Sequence, residues 1–214
     1  MQQGNHEVRT AWGFWGVRLP MPDDLIWKQD RTTILQALGA LDPTGKPTGR
    51  LDVLKDIQMA RFSAEDWQKE RDKMITTCSQ CHSSNFAKSE LQKGDLMIKE
   101  ADHLMAEAIR IVAGLYKDGV IIKPKDYAYA FPDLLTFHDS PTPVEQHLFV
   151  MFLEHRSRAF EGTFHASPDY ALWYGWSEMQ RDFTDIKFMA EELRRNSASK
   201  VKPTTAPAAK KSAK

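Results

Sequence analysis

The sequence predicts an all-α fold, and three observations support this prediction. Apolar residues recur every three or four positions along residues 91–112, which is the spacing of an amphipathic helix. Helix-start signals precede two other segments, because Ser63 is followed by Asp66 and Ser167 by Pro168. No segment shows a convincing strand pattern. We therefore expect a helical body that ends in long helices able to form a bundle or a trimer interface.

The first third of the chain contains two predicted helices. Residues 1–18 carry no helix-start signal. Asp30 is a candidate N-cap for a helix over residues 31–41, and the turn-forming residues 42–47 would end it. A second helical period follows over residues 51–61.

The third predicted helix covers residues 64–76 and leads into the sequence Cys78-Ser79-Gln80-Cys81-His82, which contains both cysteines of the chain. This Cys-x-x-Cys-His spacing is typical of covalently attached c-type haem. The spacing lets both sulfurs reach the two vinyl groups of one porphyrin as thioethers. His82 then lies under the ring and can give a nitrogen to the iron.

Two other uses of paired cysteines were considered. A thioredoxin-like redox disulfide requires an alternating strand–helix–strand context, and the residues before Cys78 are polar and helix-favouring instead. A structural zinc site requires further ligands at close spacing, and the chain has no second cysteine pair. The pattern therefore favours haem.

After the motif, a long helix is predicted from residue 86 to residue 117. Gly94 is a candidate interruption, and Gly119 is placed to end the helix in a left-handed conformation. Residues 120–143 are punctuated by proline and are predicted to be irregular.

Two further helices are predicted in the last third. One covers residues 144–160 and is broken by Gly162, and the other starts at the N-cap Ser167. Apolar residues of the last helix form a coiled-coil-like stripe: Trp173, Trp176, Phe183, Ile186, Ala190 and Leu193. Residues 196–214 are small, polar or basic and are predicted to be a disordered tail. We thus distinguish a haem-binding region (1–143), a helical region (144–195) and this tail.

Composition limits the partners. Lysine plus arginine and aspartate plus glutamate are equal at 29 each, so no general attraction to nucleic acid or to an anionic membrane is expected. No stretch approaches the roughly 18 apolar residues of a membrane span. The polar start also lacks the apolar core of a signal peptide, although this kind of haem attachment takes place outside the cytoplasm. We expect a periplasmic or equivalent location and a missing N-terminus, unless the chain is never exported.

Several separated motifs resemble, in order, the octahaem hydroxylamine oxidoreductase family. They are Gly4-Asn5-His6 leading into Trp12-Gly13-Phe14 and Arg18-Leu19-Pro20, Cys78-Ser79-Gln80-Cys81-His82 with Phe86 behind it, Leu115-Tyr116-Lys117-Asp118-Gly119, Glu154-His155-Arg156, Gly162-Thr163-Phe164-His165, and Asp169-Tyr170-Ala171-Leu172-Trp173-Tyr174-Gly175-Trp176. The resemblance covers about residues 1–195. Only the last of the family's haem motifs is matched, and Met1 falls where the family continues from an earlier one. The sequence therefore resembles the C-terminal part of a longer protein.

The resemblance implies an oxidoreductase. Family members oxidise hydroxylamine to nitric oxide or nitrite at a P460-type catalytic haem and pass electrons through bis-histidine c-haems to a redox partner cytochrome. In their homotrimer, a tyrosine from this region is covalently bonded to the catalytic haem of a neighbouring subunit. Tyr170 and Tyr174 are the two candidates here, with Tyr170 preferred, and the presence of this tyrosine favours oxidation over reduction.

The resemblance also assigns haem ligands. His82 carries over as the proximal ligand of this chain's haem, and His6 as the distal ligand of one of the c-haems. Four histidines remain weaker candidates: His103, His138, His147 and His165. Three alternatives stay open at this point: hydrazine dehydrogenation, a single-haem electron-transfer or assembly subunit without a substrate site, and a truncated product without activity.

Overall fold

The computed structural model describes residues 19–50, 63–125, 127, 129–136 and 139–201. Its α-helices are α1 (Leu25–Ala37), α2 (Ala64–Cys78), α3 (Ser84–Lys117), α4 (Pro143–Val150), α5 (Ser157–Phe164) and α6 (Ser177–Val201). Two π-helical segments, π1 (Met151–Arg156) and π2 (Tyr170–Trp176), join α4 to α5 and lead into α6. Within the described residues the β-structure is an isolated bridge between Leu41 and Pro47. The all-α prediction is confirmed.

Some predicted segments are not covered by this description. Residues 1–18, the predicted helix over 51–61 and residues 202–214 lie outside the described residues. None of the described helices combines the length and apolar character that crossing a membrane requires.

Helix α3 is the centre of the packing, and α1, α2, α5 and α6 all contact it. It starts two residues before the predicted position and ends as predicted, with Gly119 at a φ of 66°. Gly94 does not interrupt it. At this position a Cβ atom would lie 3.0 Å from Cγ2 of Thr163, so the glycine allows α5 to approach α3 closely.

The prediction for α1 was wrong. The helix begins at Leu25, where the side chain of Asp24 accepts a hydrogen bond from the amide of Trp27 at 2.9 Å. Asp30 lies in the middle of the helix and is buried rather than acting as the N-cap. The helix ends at Ala37 because Gly39 adopts a φ of 67°. Tertiary contacts of Asp30 therefore override its local preference for a helix start.

The predicted break at Gly162 is also wrong, because α5 continues to Phe164. Instead, Gly162 and Gly175 allow two segments to pack main chain against main chain. A Cβ atom on Gly162 would overlap the main-chain nitrogen of Ala171, and one on Gly175 would overlap that of Ala159. Because Gly162 and Gly175 have no side chains, the main chains of α5 and π2 can contact each other directly.

We expect Gly175→Ala to lower the free energy of unfolding by about 2–3 kcal/mol, because the added methyl group has a rigid backbone as its neighbour. Chemical denaturation followed by circular dichroism would measure the effect. Gly114→Ala is the matched control in α3, where the nearest atom is the mobile end of Arg194 at 3.1 Å. The control should be neutral or stabilising, since alanine favours helix. Equal effects of both substitutions would contradict this packing argument.

The last helix differs from the prediction at both ends. Residues 168 and 169 are helical as expected from Ser167, but π2 intervenes before α6 begins at Ser177. Helix α6 continues to Val201, beyond the predicted tail start at residue 196, because serine, alanine and lysine tolerate helix. In the predicted stripe, Ile186 and Ala190 are buried in this chain's own core, whereas Trp173 is 68% exposed. The stripe is therefore divided between the bundle interior and the surface.

Candidate haem site

The Cys-x-x-Cys-His motif forms a tight turn between α2 and α3. Cys78 is the last residue of α2, and its carbonyl accepts hydrogen bonds from the amides of Cys81 at 3.1 Å and His82 at 3.0 Å. Both cysteines are free thiols, with Cys78 half-buried and Cys81 exposed. The His82 side chain is exposed as well. Two thiols and one imidazole are thus accessible on a single turn.

Hydrogen bonds at the start of α3 support this turn. Ser83 caps α3, since its hydroxyl accepts a hydrogen bond from the amide of Phe86 at 3.2 Å. The hydroxyl groups of Ser79 and Ser84 lie 3.1 Å apart across the turn. The backbone that carries the motif is therefore held by local bonds from both sides.

Helix α2 is attached to the bundle mainly through two side chains. Arg71 pairs with Asp95 at 2.5 Å and donates to the carbonyl of Leu91 at 2.9 Å, both on α3. The ring of Trp67 packs edge-on against Phe164 with centroids 6.2 Å apart. No residue of α2 is buried among the described residues. The helix that carries the cysteines thus has surface to offer to a large apolar group.

Among the residues that the structure describes, the aromatic neighbour of His82 is Phe86. Their ring centroids are 4.8 Å apart and the planes are inclined by 30°. Phe86 is 48% exposed, which is unusual for a phenylalanine. The donor set of two free thiols and one accessible imidazole fits covalent haem c, in which the cysteines would hold the macrocycle and His82 its iron. Among the described residues, no group of three or more His, Cys, Asp or Glu side chains is placed to hold a metal ion directly.

Comparison with known proteins agrees with this geometry. The family model described as "Seven times multi-haem cytochrome CxxCH" matches residues 50–127. The probable nitrite reductase-hydroxylamine oxidoreductase fusion protein of Kuenenia stuttgartiensis is 24% identical over 180 residues, covering 65% of this chain and 21% of the relative. A solved reducing HAO-like protein complex of the same organism, in which HAO denotes hydroxylamine oxidoreductase, shares the fold. Its TM-score is 0.57 at 22% identity, covering 76% of this chain and 41% of that one.

Residues 50–127 thus match the multihaem cytochrome family model, and the chain is similar to hydroxylamine oxidoreductase-like proteins in sequence and fold. The resemblance seen in the sequence is thereby confirmed, and covalently bound haem c is the cofactor class of this family. The chain spans about a fifth of the length of the curated relative and two fifths of the solved chain.

Outside the motif, His103 belongs to a separate polar cluster between α1 and α3. Its Nδ1 lies 2.8 Å from a carboxylate oxygen of Asp30, whose other oxygen accepts a hydrogen bond from Arg110 at 2.6 Å. Asp30 is buried, whereas the His103 side chain is 46% exposed. This cluster accounts for the buried Asp30, which sequence reasoning had assigned to a helix end.

A second cluster joins π1 to α6. Nδ1 of His155 lies 2.5 Å from Oδ2 of the buried Asp182, and Nδ1 of His147 lies 3.7 Å from Oδ1. On a regular α-helix, residues eight apart differ by about 80° around the axis. The wider π1 segment reduces this angle, so that both histidines face one carboxylate. The helical pattern of the sequence places His155 on one face with His147 close to it, but it does not reveal Asp182, which lies on another helix, as their shared partner.

Of the remaining predicted histidines, the structure describes His103 and His165, and each has its nearest polar partner away from the motif. Nδ1 of His165 lies 2.7 Å from the carbonyl oxygen of Glu161. His103 lies about 30 Å from the motif along α3, given a rise of about 1.5 Å per residue. His6 and His138 lie outside the described residues. Distal ligation by His6 therefore stays a prediction.

A buried network centred on Asp102 holds α1, α3 and π1 together. One carboxylate oxygen accepts a hydrogen bond from Arg156 at 2.7 Å, and the other accepts one from the indole of Trp27 at 2.8 Å. Arg31 adds a third contact at 4.0 Å. The guanidinium of Arg156 also lies over the ring of Phe160, 4.2 Å from its centroid. Burial of these charges is offset by their mutual pairing.

The two candidate crosslinking tyrosines lie on π2, and both side chains are exposed. Tyr170 is 37% exposed and Tyr174 is 50% exposed, with ring centroids 5.8 Å apart. Ala171 and Gly175 are the π2 residues that face inward. Because these small residues make the contact with α5, Trp173 and the two tyrosines share an exposed aromatic surface, whereas Trp176 packs partly against the core.

Proposed function

We propose that the chain is the C-terminal part of a hydroxylamine oxidoreductase-like cytochrome and binds one haem c through Cys78 and Cys81. In this proposal His82 is the proximal ligand and His6 a distal ligand. The observation that carries it is the turn at 78–82, where two free thiols and an exposed imidazole lie together in a multihaem cytochrome. The haem would relay electrons within the larger protein.

For the whole protein, we favour oxidation of hydroxylamine to nitric oxide or nitrite at a P460-type haem. Region 1–143 would hold the c-haem, and region 144–195 would contact a neighbouring subunit of a homotrimer. The exposed Tyr170 and Tyr174 support this arrangement, because a crosslinking tyrosine must be presented to another subunit. A redox partner cytochrome would take the electrons, in the periplasm or an equivalent compartment.

A specific observation favours a second candidate function. The solved complex with this fold is named a reducing HAO-like protein complex, and the curated relative includes a nitrite reductase. The chain also has one haem motif. In this second candidate function, the chain would be a single-haem electron-transfer or assembly subunit without a substrate site of its own. Hydrazine dehydrogenation remains the close alternative within the first proposal.

The test uses the 214-residue chain produced in an exporting host with haem maturation. We expect the mass of one covalently attached haem and a Soret band. We also expect no turnover of hydroxylamine or hydrazine, since a single haem cannot both activate substrate and relay electrons. Absence of the Soret band would contradict the haem proposal, and turnover by this chain alone would contradict the relay role.

A further inference from the structure

Phe86 stands out because it is a large apolar side chain on an otherwise polar turn. It is 48% exposed, whereas its helical neighbour Ala87 is buried. About half of its surface therefore gains nothing from burial in this state, which leaves room for another apolar partner. The residue that it does contact is His82.

The contact fixes His82 in a particular way. Phe86 occupies the third position of α3 and His82 the position before the Ser83 cap, so the two rings meet across the helix start. The centroid distance of 4.8 Å and the inclination of 30° are those of a tilted stack. Neither ring nitrogen of His82 has a hydrogen bond among the described residues. Packing on Phe86 is therefore what limits rotation of the imidazole.

The backbone beneath this pair is well held. Ser83 caps α3, and Arg71 ties the middle of α2 to α3 through Asp95. Phe86 is thus presented from a fixed helix start rather than from a free loop. Its position relative to His82 is set by the same turn that carries the two cysteines.

From these contacts we infer that Phe86 is the positioning residue for the iron ligand His82 and the apolar cover on that side of the haem. This inference rests on the proposed haem attachment. An imidazole held in one plane presents its nitrogen in a single direction, which in other metal sites is achieved by hydrogen bonds to the ligating histidine. An apolar ring beside the ligand also keeps water away from it. Because water stabilises the more highly charged ferric state, this cover should raise the reduction potential of the haem.

The experiment compares matured holoproteins carrying Phe86→Ala, Phe86→Leu and Phe188→Ala. Phe188 is the matched control, because it is 58% exposed on α6 and distant in sequence from the motif. Haem content is measured by mass and by pyridine haemochrome, ligand geometry by the g values of ferric EPR, and redox balance by potentiometric titration.

We expect the Phe86→Ala protein to retain covalent haem and to change its ferric g values. Its ferric-to-ferrous ratio at a fixed applied potential should rise about threefold. This corresponds to a decrease of about 28 mV in the reduction potential of the haem, for a one-electron couple. Phe86→Leu should restore most of the potential, since leucine keeps the apolar cover, but not the g values. Phe188→Ala should match the wild type in both measurements.

Unchanged g values and potential in haem-loaded Phe86→Ala would overturn the inference while leaving haem attachment intact. Should Phe86→Ala mature poorly, the Phe86→Leu protein provides the same measurement, and wild-type g values there would overturn the positioning role. Absence of covalent haem in the wild-type protein would overturn the proposed function and this inference together.

Discussion

Replacing Cys78 and Cys81 together by alanine is expected to abolish covalent haem attachment. Each cysteine supplies one thioether, so the double variant has no sulfur left to bind the porphyrin, and the chain contains no other cysteine. The measurement is the mass of the exported protein, together with its haem stain after denaturing electrophoresis. A haem-sized mass increase in the double variant would contradict the assignment of both cysteines.

His82→Ala is the companion variant. It should retain the thioethers but lose the proximal nitrogen, so its haem is expected to change spin state while its mass stays that of the holoprotein. His165→Ala is a suitable control, because His165 is also exposed but lies at the C-cap of α5 with Nδ1 near the carbonyl of Glu161. An identical spectrum for His82→Ala and the control would contradict proximal ligation by His82.

Replacing Asp102 by alanine is expected to lower the free energy of unfolding by about 3–5 kcal/mol. Arg156 is 1% exposed and Arg31 is 4% exposed, so the loss of Asp102 leaves buried positive charge without its carboxylate. The indole of Trp27 loses its acceptor at the same time. Urea denaturation of wild type and variant, purified in the same way, measures the difference in the free energy of unfolding.

Asp118→Ala provides the comparison for that experiment. Asp118 pairs with Arg194 at 3.3 Å, and the two side chains are 49% and 42% exposed. Because water screens an exposed pair, this substitution should cost about 1 kcal/mol or less. If Asp102→Ala were as mild as Asp118→Ala, the buried network would not contribute to holding α1, α3 and π1 together.

Local signals predicted several elements correctly. The Ser63 hydroxyl accepts a hydrogen bond from the amide of Asp66 at 3.0 Å, and α2 begins at Ala64 as expected. Helix α3 follows its apolar period and ends at the residue that Gly119 indicated. These features depend on residues within a few positions of each other, so the sequence contains all the information that they require.

Other features depended on contacts between distant residues. Asp30 is a good N-cap type, yet it lies inside α1, where Arg110 and His103 satisfy its carboxylate. Gly162 is a usual helix breaker, but here it provides space for Ala171. In both cases a partner far along the chain changed the meaning of a residue whose local preference pointed elsewhere.

The sequence by itself predicted covalent haem attachment and determined the helical architecture of this chain. Thioether attachment needs only two cysteines and a histidine at fixed spacing, and that spacing is a property of the covalent chain. Only the tertiary structure decided that His155 and His147 share Asp182, that π2 turns Tyr170 and Tyr174 outward, and that Phe86 packs on His82. The physical reason is that the width of a helix and the neighbours of a side chain are set by packing between segments, which no local pattern of residues specifies.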